Sequence, residues 1–274
     1  PLVCGWNHTA GLRPGRSGGH AASMNAELNR WRGKIALVTG ASSGIGRAIA
    51  EDFGRLGLKV AVTGRREAAL AETAAAVRDA GGEALVLAGD QREVTTNQRF
   101  FADLAAHWGS VDVLVNSAGI LGGRSLLQAE WAEIQSALDL NLRAALVCMR
   151  EAATAMRGKT EAAIINVSSM TGHRVVPGTP ALYAATKHAL RVLTDGLRSE
   201  LVRDGQKVKV ALLSPGLVDT PWHAKPDGLL AKDGAYPYQP LVASDLAAAV
   251  RYILSAPAGV QVCDIQLRPA AQPF

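Results

Sequence analysis

The most constraining feature of the sequence is a glycine-rich segment, residues 39–46, which reads TGASSGIG. It follows the apolar run 35–38 and precedes a helical pattern from Arg47 to Leu56, so the order is strand, turn, helix. Glycines there permit a tight turn and close approach of backbone N–H groups to a pyrophosphate, and the helix N-terminus adds favourable partial charge. The segment therefore predicts a dinucleotide-binding turn.

The rest of the chain alternates strand and helix patterns from Lys34 to its end, which is typical of a doubly wound sheet. The apolar runs are nearly continuous, as expected for strands covered on both faces. We predict strands at 34–39, 59–63, 84–88, 111–115, 162–168, 207–213 and 260–266. The fold class is therefore α/β: one domain with a Rossmann-type, doubly wound parallel seven-stranded sheet and helices on both faces.

Composition limits the domain organisation and the classes of partner. A chain of 274 residues that is 48% apolar suffices for one two-sided core. Residues 1–23 are rich in Gly, Arg, Ser and Pro, and we interpret them as a flexible or foreign N-terminal extension before a single folded domain at 24–274. The net charge of +5 includes arginines of that extension, and no basic run indicates a nucleic-acid partner.

The cysteines indicate a reducing compartment. The three cysteines, Cys4, Cys148 and Cys263, are scattered and odd in number, without metal-ligand spacing. We therefore expect no metal and a cytoplasmic location. No apolar stretch reaches the ~18 residues that cross a bilayer, so we expect no membrane association.

A phenol and an ammonium stand four residues apart, at Tyr183 and Lys187. On a helix this spacing places both on one face. An adjacent cation favours the phenolate, so we expect Lys187 to lower the pKa of Tyr183 towards the working range of a proton donor. Taken alone, the pair also fits an ordinary amphipathic helix with a surface lysine.

Further motifs give these two features a common context: NSAG at 116–119, Asn141, the serine pair at 168–169 and SPG at 214–216. Together they resemble the short-chain dehydrogenase/reductase family, over roughly residues 31–269. Within the family the chain is most similar to the branch that contains farnesol dehydrogenase-like proteins and dehydrogenase/reductase member 11. This similarity lies in residues 169–175, 214–220 and 264–269. Bacterial NADP-dependent 3-hydroxy acid dehydrogenases share much of this pattern.

The resemblance implies a nicotinamide cofactor, and the residues after the second strand favour NADP(H). Gly64 stands where an NAD enzyme carries an acidic residue for the ribose 2′-hydroxyl, and Arg65 and Arg66 follow it. Guanidinium forks suit a 2′-phosphate, although the arginines also fit a solvated helix start. By resemblance Asp90 accepts from the adenine amino group; it also fits a cap of the next helix, and the two roles are compatible. By resemblance the segment 215–220 folds over the nicotinamide, and Thr220 bonds the carboxamide or a phosphate. The cofactor-binding residues so implied are Gly40, Ser42, Ser43, Gly44, Ile45, Gly46, Arg65, Arg66, Asp90, Asn116, Ala118, Gly119, Tyr183, Lys187, Pro215, Gly216, Val218 and Thr220.

The resemblance also implies the catalytic residues Asn141, Ser169, Tyr183 and Lys187. In these roles Ser169 and Tyr183 hold a carbonyl oxygen, Tyr183 gives up its proton and Lys187 holds the nicotinamide ribose. Asn141 kinks its helix, and its main chain holds a water linking Lys187 to solvent. His173 is interpreted as a packing or hydrogen-bonding group outside this set.

Three functions remain in competition at this level. The first is hydride transfer between NADP(H) and a small-molecule carbonyl or alcohol, on apolar substrates such as steroid, terpenoid or dicarbonyl compounds. The second is oxidation of a 3-hydroxy acid, for which Arg174, His223 or Lys225 could supply a cation. The third is a dinucleotide-binding sensor or scaffold without turnover.

Two segments bear on substrate and assembly. Residues 221–240, with Trp222, Tyr236 and Tyr238, have the composition of a lid over a pocket. Helical segments 130–156 and 181–203 carry many alanines and leucines, and family members pair such helices between subunits. We therefore expect a homodimer or homotetramer, with the tail 264–274 packed at another interface.

Overall fold

The structure is a computed structural model that describes residues 26–122, 125–176, 178–221, 236 and 238–273. The predicted extension at 1–23 lies outside the described residues, as does most of the predicted lid, including Trp222, His223 and Lys225.

A seven-stranded parallel sheet forms the centre of the molecule. Its strands are β1 (Ile35–Val38), β2 (Lys59–Gly64), β3 (Glu83–Ala88), β4 (Val113–Asn116), β5 (Ala162–Val167), β6 (Val208–Pro215) and β9 (Asp264–Leu267), and β7 (Val218–Asp219) and β8 (Leu241–Val242) form a separate parallel pair. The order in the large sheet is β3-β2-β1-β4-β5-β6-β9. The expected fold class is confirmed, and each predicted strand has its observed counterpart within a few residues.

Helices cover both faces of the sheet. They are α1 (Gly44–Arg55), α2 (Glu67–Asp79), α3 (Val94–His107), α4 (Trp131–Leu138), α5 (Ala145–Ala155), α6 (Ala181–Arg203) and α7 (Ala243–Ser255). A π-helical turn, Asp139–Ala144, joins α4 to α5, and short 3₁₀ turns occupy Asn29–Trp31 and Met170–Gly172. None of the helices in the described ranges is long and apolar enough to cross a membrane.

The core is split into two layers by the sheet, because successive strand residues point to opposite faces. Val38 of β1 packs with Phe53 of α1 and Val250 of α7 in one layer. Its neighbour Leu37 packs with Phe100 of α3 in the other. This explains why every residue of β1 is buried and why its sequence reads as a continuous apolar run.

The strand order reverses between β1 and β4, which are neighbours although β2 and β3 intervene in sequence. In such sheets ligands bind beyond the carboxyl ends of the strands at this switch point. Thr39, just after β1, ties the two strand ends together there: its Oγ1 accepts the backbone N–H groups of Ser117 at 2.9 Å and Ala118 at 3.1 Å. The fold therefore opens a cleft beside the glycine-rich turn.

Candidate active site

The cleft is a cavity of about 790 Å³ at the carboxyl ends of the strands. All of the predicted cofactor-binding residues line it except Asn116. Of the predicted catalytic residues, Ser169, Tyr183 and Lys187 line it and Asn141 does not. Segments distant in sequence are thus brought to one wall by the strand order.

The glycine turn lies against neighbouring backbone, which leaves no room for side chains. Gly40 has a φ of +65°, and a Cβ there would lie 2.8 Å from the Ala118 Cα. A Cβ at Gly46 would lie 2.6 Å from the Gly40 carbonyl oxygen. Helix α1 begins at Gly44 without an acidic residue in its first turn, so its N-terminus presents unopposed partial positive charge. This geometry fits a phosphate-bearing ligand.

A basic, hydroxyl-lined corner lies at the end of β2. Arg66 Nη2 donates to the Ser42 hydroxyl at 3.0 Å and to the Ser43 hydroxyl at 2.8 Å. A Cβ at Gly64 would make only ordinary contacts, 3.6 Å from Leu70 and Ser42, so a side chain would fit there. Arg65 also lines the cavity. Position 64 therefore lacks a carboxylate although the backbone there leaves room for a Cβ.

Asp90 lies on the cavity wall, but its carboxylate is held by Arg92. Arg92 donates from Nε to Oδ2 at 3.0 Å and from its backbone N to Oδ1 at 3.0 Å. The side-chain hydrogen bond from Arg92 is the main cause that lowers the pKa of Asp90. The alternative role as helix cap is not observed, since α3 is preceded by Glu93 at its N-cap. Sequence reasoning missed Arg92, although a basic residue two positions after Asp90 was the available signal.

Tyr183 and Ser169 both line the cavity, and their side chains are hydrogen-bonded to each other. Tyr183 lies in the first turn of α6 and is only 8% exposed. Ser169 follows β5, and its Oγ also accepts from the backbone N and the hydroxyl of Thr171, at 3.2 and 3.1 Å. Burial raises the pKa of Tyr183 to about 12, and a hydrogen bond with the Ser169 side chain opposes that shift. The phenol is therefore a protonated donor at neutral pH.

Lys187 lies one helical turn below Tyr183 and is 5% exposed. Its Nζ donates to the Val167 carbonyl oxygen at 2.8 Å and lies 5.7 Å from the centre of the tyrosine ring. No carboxylate of the described residues forms an ion pair with it. Burial lowers the pKa of Lys187 to about 8, because the ammonium loses hydration without gaining a counterion.

The expected direction of the Tyr183 pKa shift was wrong. The spacing of Tyr183 and Lys187 predicts a lowered phenol pKa, whereas burial raises it. Burial acts on both groups: it penalises the phenolate and it also weakens the neighbouring cation. The sequence pattern predicts that Tyr183 and Lys187 lie together on one helical face, but it does not predict how far burial removes the two groups from water.

Asn141 lies in the π-helical turn, so the expected irregularity of its helix is observed. Its side chain is buried and bonds the backbone of Ile120 twice, accepting from N at 2.8 Å and donating to O at 2.7 Å. It also donates to the Thr186 hydroxyl at 3.2 Å. The amide thus fixes the loop after β4 to α6, beside Lys187.

Asn116 lies behind the cavity wall rather than on it. It is buried, and its Nδ2 donates to Asn166 Oδ1 at 2.8 Å, linking β4 to β5. Asn166 in turn donates to the Thr194 hydroxyl of α6 at 2.9 Å. The residue predicted to bind cofactor therefore supports the strand end from within the core.

His173 stays outside the cavity. Its Nε2 lies 2.9 Å from the Ser214 hydroxyl and 3.2 Å from Asp264 Oδ2, so it connects the turn after Ser169 to β6 and β9. Burial lowers the pKa of His173, and Asp264 opposes that shift. This is the hydrogen-bonding role expected for it.

The cavity also has walls that sequence reasoning missed. Several of these residues are apolar, and Gln272 of the C-terminal tail adds an amide. No local sequence signal marks these positions, because each depends on which segments the fold brings together. The missed lining residues include Ile120, Leu140, Met170, Val176, Thr179, Leu217 and Gln272.

The fold and this site define a short-chain dehydrogenase/reductase. The family model "short chain dehydrogenase" matches residues 34–227, and the chain belongs to this family of oxidoreductases. It is 35% identical over 253 residues to human "Dehydrogenase/reductase SDR family member 11", covering 89% of this chain and 97% of the relative. It is 32% identical over 251 residues to "Farnesol dehydrogenase" of Aedes aegypti, covering 90% and 100%. The expected branch of the family is confirmed.

A solved structure has the same fold. It is the closed form of a serine dehydrogenase complexed with NADP+, with a TM-score of 0.77 and 30% identity, covering 88% of this chain and 96% of that one.

The buried ammonium predicts a pH dependence of stability. Its pKa is about 8 in the folded chain against an ordinary 10.5, so between these values the unfolded state holds more protons. The free energy of unfolding should therefore rise with pH across this window, by up to about 1.4 kcal/mol per pH unit. Urea unfolding of the parent and of Lys187→Met between about pH 7 and 10 isolates the contribution of Lys187 to the free energy of unfolding. Lys207→Met, at an exposed lysine, is the matched control. A constant difference between parent and Lys187→Met would contradict the assignment.

Proposed function

We propose that the protein is an NADP(H)-dependent oxidoreductase that interconverts a carbonyl and an alcohol by hydride transfer. The observation that carries this proposal is the arrangement of Ser169, Tyr183 and Lys187 at one cavity wall. Two hydroxyl donors are hydrogen-bonded to each other there, and one helical turn away lies a buried ammonium that donates to the Val167 carbonyl oxygen. Such donors can hold a carbonyl oxygen on which negative charge develops.

Each residue has a definite task in this reaction. When bound, the cofactor supplies or accepts the hydride. Ser169 and Tyr183 donate hydrogen bonds to the substrate oxygen, and Tyr183 transfers its proton as the alcohol forms. Lys187 has ammonium donors beyond the one used by Val167, and these suit hydroxyl acceptors such as those of a ribose. The Asn141 amide keeps the Ile120 loop and α6 in register around that ammonium.

Three observations support NADP(H) as the cofactor. The glycine turn and the N-terminus of α1 fit a pyrophosphate, as their close backbone contacts show. Arg65 and Arg66 line the cavity with Ser42 and Ser43, while position 64 carries no carboxylate. The similar serine dehydrogenase structure contains NADP+. A 2′-phosphate would give the Arg66 guanidinium an anionic acceptor in place of the neutral hydroxyls.

The described lining of the cavity favours an apolar substrate, because outside the predicted cofactor-binding residues none of its described side chains is charged. Leu140, Val176 and Tyr238 line it, and Arg174 does not, being exposed outside the cavity. Lys187 and the two arginines of the cofactor end are the only Lys or Arg side chains on the described wall. We therefore propose ketones or aldehydes of steroid, terpenoid or dicarbonyl type as the substrate class.

A second candidate is the oxidation of a 3-hydroxy acid. It is favoured by the likeness to serine dehydrogenase, whose name denotes such a substrate. A carboxylate would need a cation near Tyr183, and His223 and Lys225 lie outside the described residues. A panel of NADPH-consumption and NADP+-reduction assays over ketosteroids, terpenoid aldehydes, diketones and hydroxy acids separates the two candidates.

We further propose that the chain forms a homodimer or homotetramer through α4, α5 and α6. Apolar side chains on these helices face outward: Trp131 is 83% exposed, Leu146 46%, Val192 64% and Val202 71%. Such surface favours association because burying it releases water. Light scattering at micromolar concentration should give a mass of two or four chains, and Leu146→Lys with Val192→Lys should lower it. A monomeric parent would contradict the proposal.

Tyr183→Phe should abolish turnover while leaving cofactor binding nearly intact. The substitution removes the proton donor and keeps the ring that packs above Lys187. We expect a loss of at least about a hundredfold in kcat, the usual contribution of general acid catalysis. Steady-state kinetics and NADPH titration by fluorescence measure the two quantities. Tyr252→Phe, an exposed tyrosine on α7, is the matched control, and a kcat within a few-fold of the parent in Tyr183→Phe would refute the role.

The cofactor preference should depend on positions 64 and 65. Gly64→Asp, at a position where a Cβ would make only ordinary contacts, adds a carboxylate that repels a 2′-phosphate and accepts from a 2′-hydroxyl. With Arg65→Leu it should weaken NADPH by roughly tenfold to a hundredfold, since one charge-assisted hydrogen bond is worth about 1.5–3 kcal/mol. NADH should bind more tightly.

Dissociation constants for both cofactors check this prediction. Arg203→Leu, an exposed arginine at the end of α6, should leave both constants unchanged and controls for loss of charge alone. If the parent binds NADH as tightly as NADPH, Arg65 is a solvated surface charge and the cofactor assignment is wrong.

A further inference from the structure

The C-terminal tail, residues 268–273, folds back onto the segment that follows β6. Gly216 N donates to the Leu267 carbonyl oxygen at 2.6 Å, extending the β6–β9 pairing to the tail. Gln272 N then donates to the Pro269 carbonyl oxygen at 3.0 Å, so the chain turns back on itself. The turn brings the Gln272 side chain to the cavity, where it is a lining residue.

The Gln272 amide makes a specific contact with this segment. Its Oε1 accepts the backbone N–H of Leu217 at 3.0 Å. The contact is close enough that a Cβ at Gly216 would lie 2.2 Å from Oε1 and 3.1 Å from the Arg268 Cα. Among the described residues the amide Nε2 has no hydrogen-bond partner. The Gln272 side chain therefore fixes the backbone at Leu217 through one hydrogen bond, and both residues line the cavity.

The segment held by Gln272 continues into the cofactor wall. Val218 pairs with Leu241 in the small second sheet, and Thr220 lies against the glycine turn, 3.2 Å from where a Gly44 Cβ would be. The segment is thus fixed by β8 beyond Leu217 and by the tail at Leu217 itself. Without the Gln272 contact, the Leu217 N–H would lose its partner at the point where the chain leaves β6.

We propose that Gln272 is a positioning residue for the nicotinamide end of the cofactor, acting through the Leu217–Thr220 backbone. This inference rests on the proposed function, because the segment 215–220 is taken to lie along the nicotinamide. Gln272 Oε1 holds the Leu217 amide, and that contact fixes the backbone next to Val218, which lines the cavity. The 2′-phosphate would be held at Arg65 and Arg66, after β2, and none of the described hydrogen bonds of these arginines reaches the Leu217–Thr220 segment.

The experiment compares two ligands, NADPH and 2′-phospho-ADP-ribose, which lacks the nicotinamide ring. Gln272→Met removes the acceptor while keeping side-chain length, and Gln272→Glu keeps an acceptor oxygen. Loss of one neutral hydrogen bond corresponds to about two- to tenfold in affinity. We expect Gln272→Met to weaken NADPH by that factor and to leave 2′-phospho-ADP-ribose unchanged. Gln272→Glu, whose charge acts on the phosphates of both ligands, should keep the parent's ratio of the two affinities. Gln98→Met, on the exposed face of α3, is the matched control.

The outcomes separate this inference from the proposed function. A parent that binds NADPH, with Gln272→Met equal to it for both ligands, would overturn the role of Gln272 and leave the cofactor assignment standing. Equal weakening of both ligands would mean that Gln272 only stabilises the fold, which also overturns the inference. A parent that does not bind NADPH would overturn the proposed function and this inference with it.

Discussion

The arrangement of the site depends on one buried hydrogen bond, from the Lys187 ammonium to the Val167 carbonyl oxygen. Burying a cation without a counterion is costly, and the lowered pKa of Lys187 is the sign of that cost. The contact ties α6 to the end of β5, and one helical turn above it the same helix presents Tyr183 to Ser169. The proton donor and the cation are therefore placed by the same strand end.

Polar side chains behind the cavity wall hold the strands and helices of the site together. Asn116, Asn166 and Thr194 form a buried chain of hydrogen bonds from β4 through β5 to α6. Asn141 makes a second link, between the loop after β4 and α6. Buried amides need partners, and here the partners are the elements that must keep their spacing around Lys187. The π-helical turn at Asn141 lets the side chain reach both.

Much of the fold followed from sequence pattern, because parallel strands buried on both faces read as continuous apolar runs between helical periods. The short pair β7 and β8 was missed, since two residues carry no periodicity. Most of the predicted site residues line the cavity, as glycine, hydroxyl and basic positions follow strand ends directly. The placement of Asn116 behind the wall, the clamp of Arg92 on Asp90 and the tail contact of Gln272 depend on contacts between distant segments.

The sequence by itself determined the strand-turn-helix start, the pairing of Tyr183 with Lys187 on one helical face and the arginines after β2. These are local features, fixed by backbone sterics and by spacing along the chain. Only the tertiary structure decided the ionisation of the site, because desolvation depends on what covers a group and not on its neighbours in sequence. It is for this reason that the pKa of Tyr183 is raised to about 12 and that of Lys187 lowered to about 8.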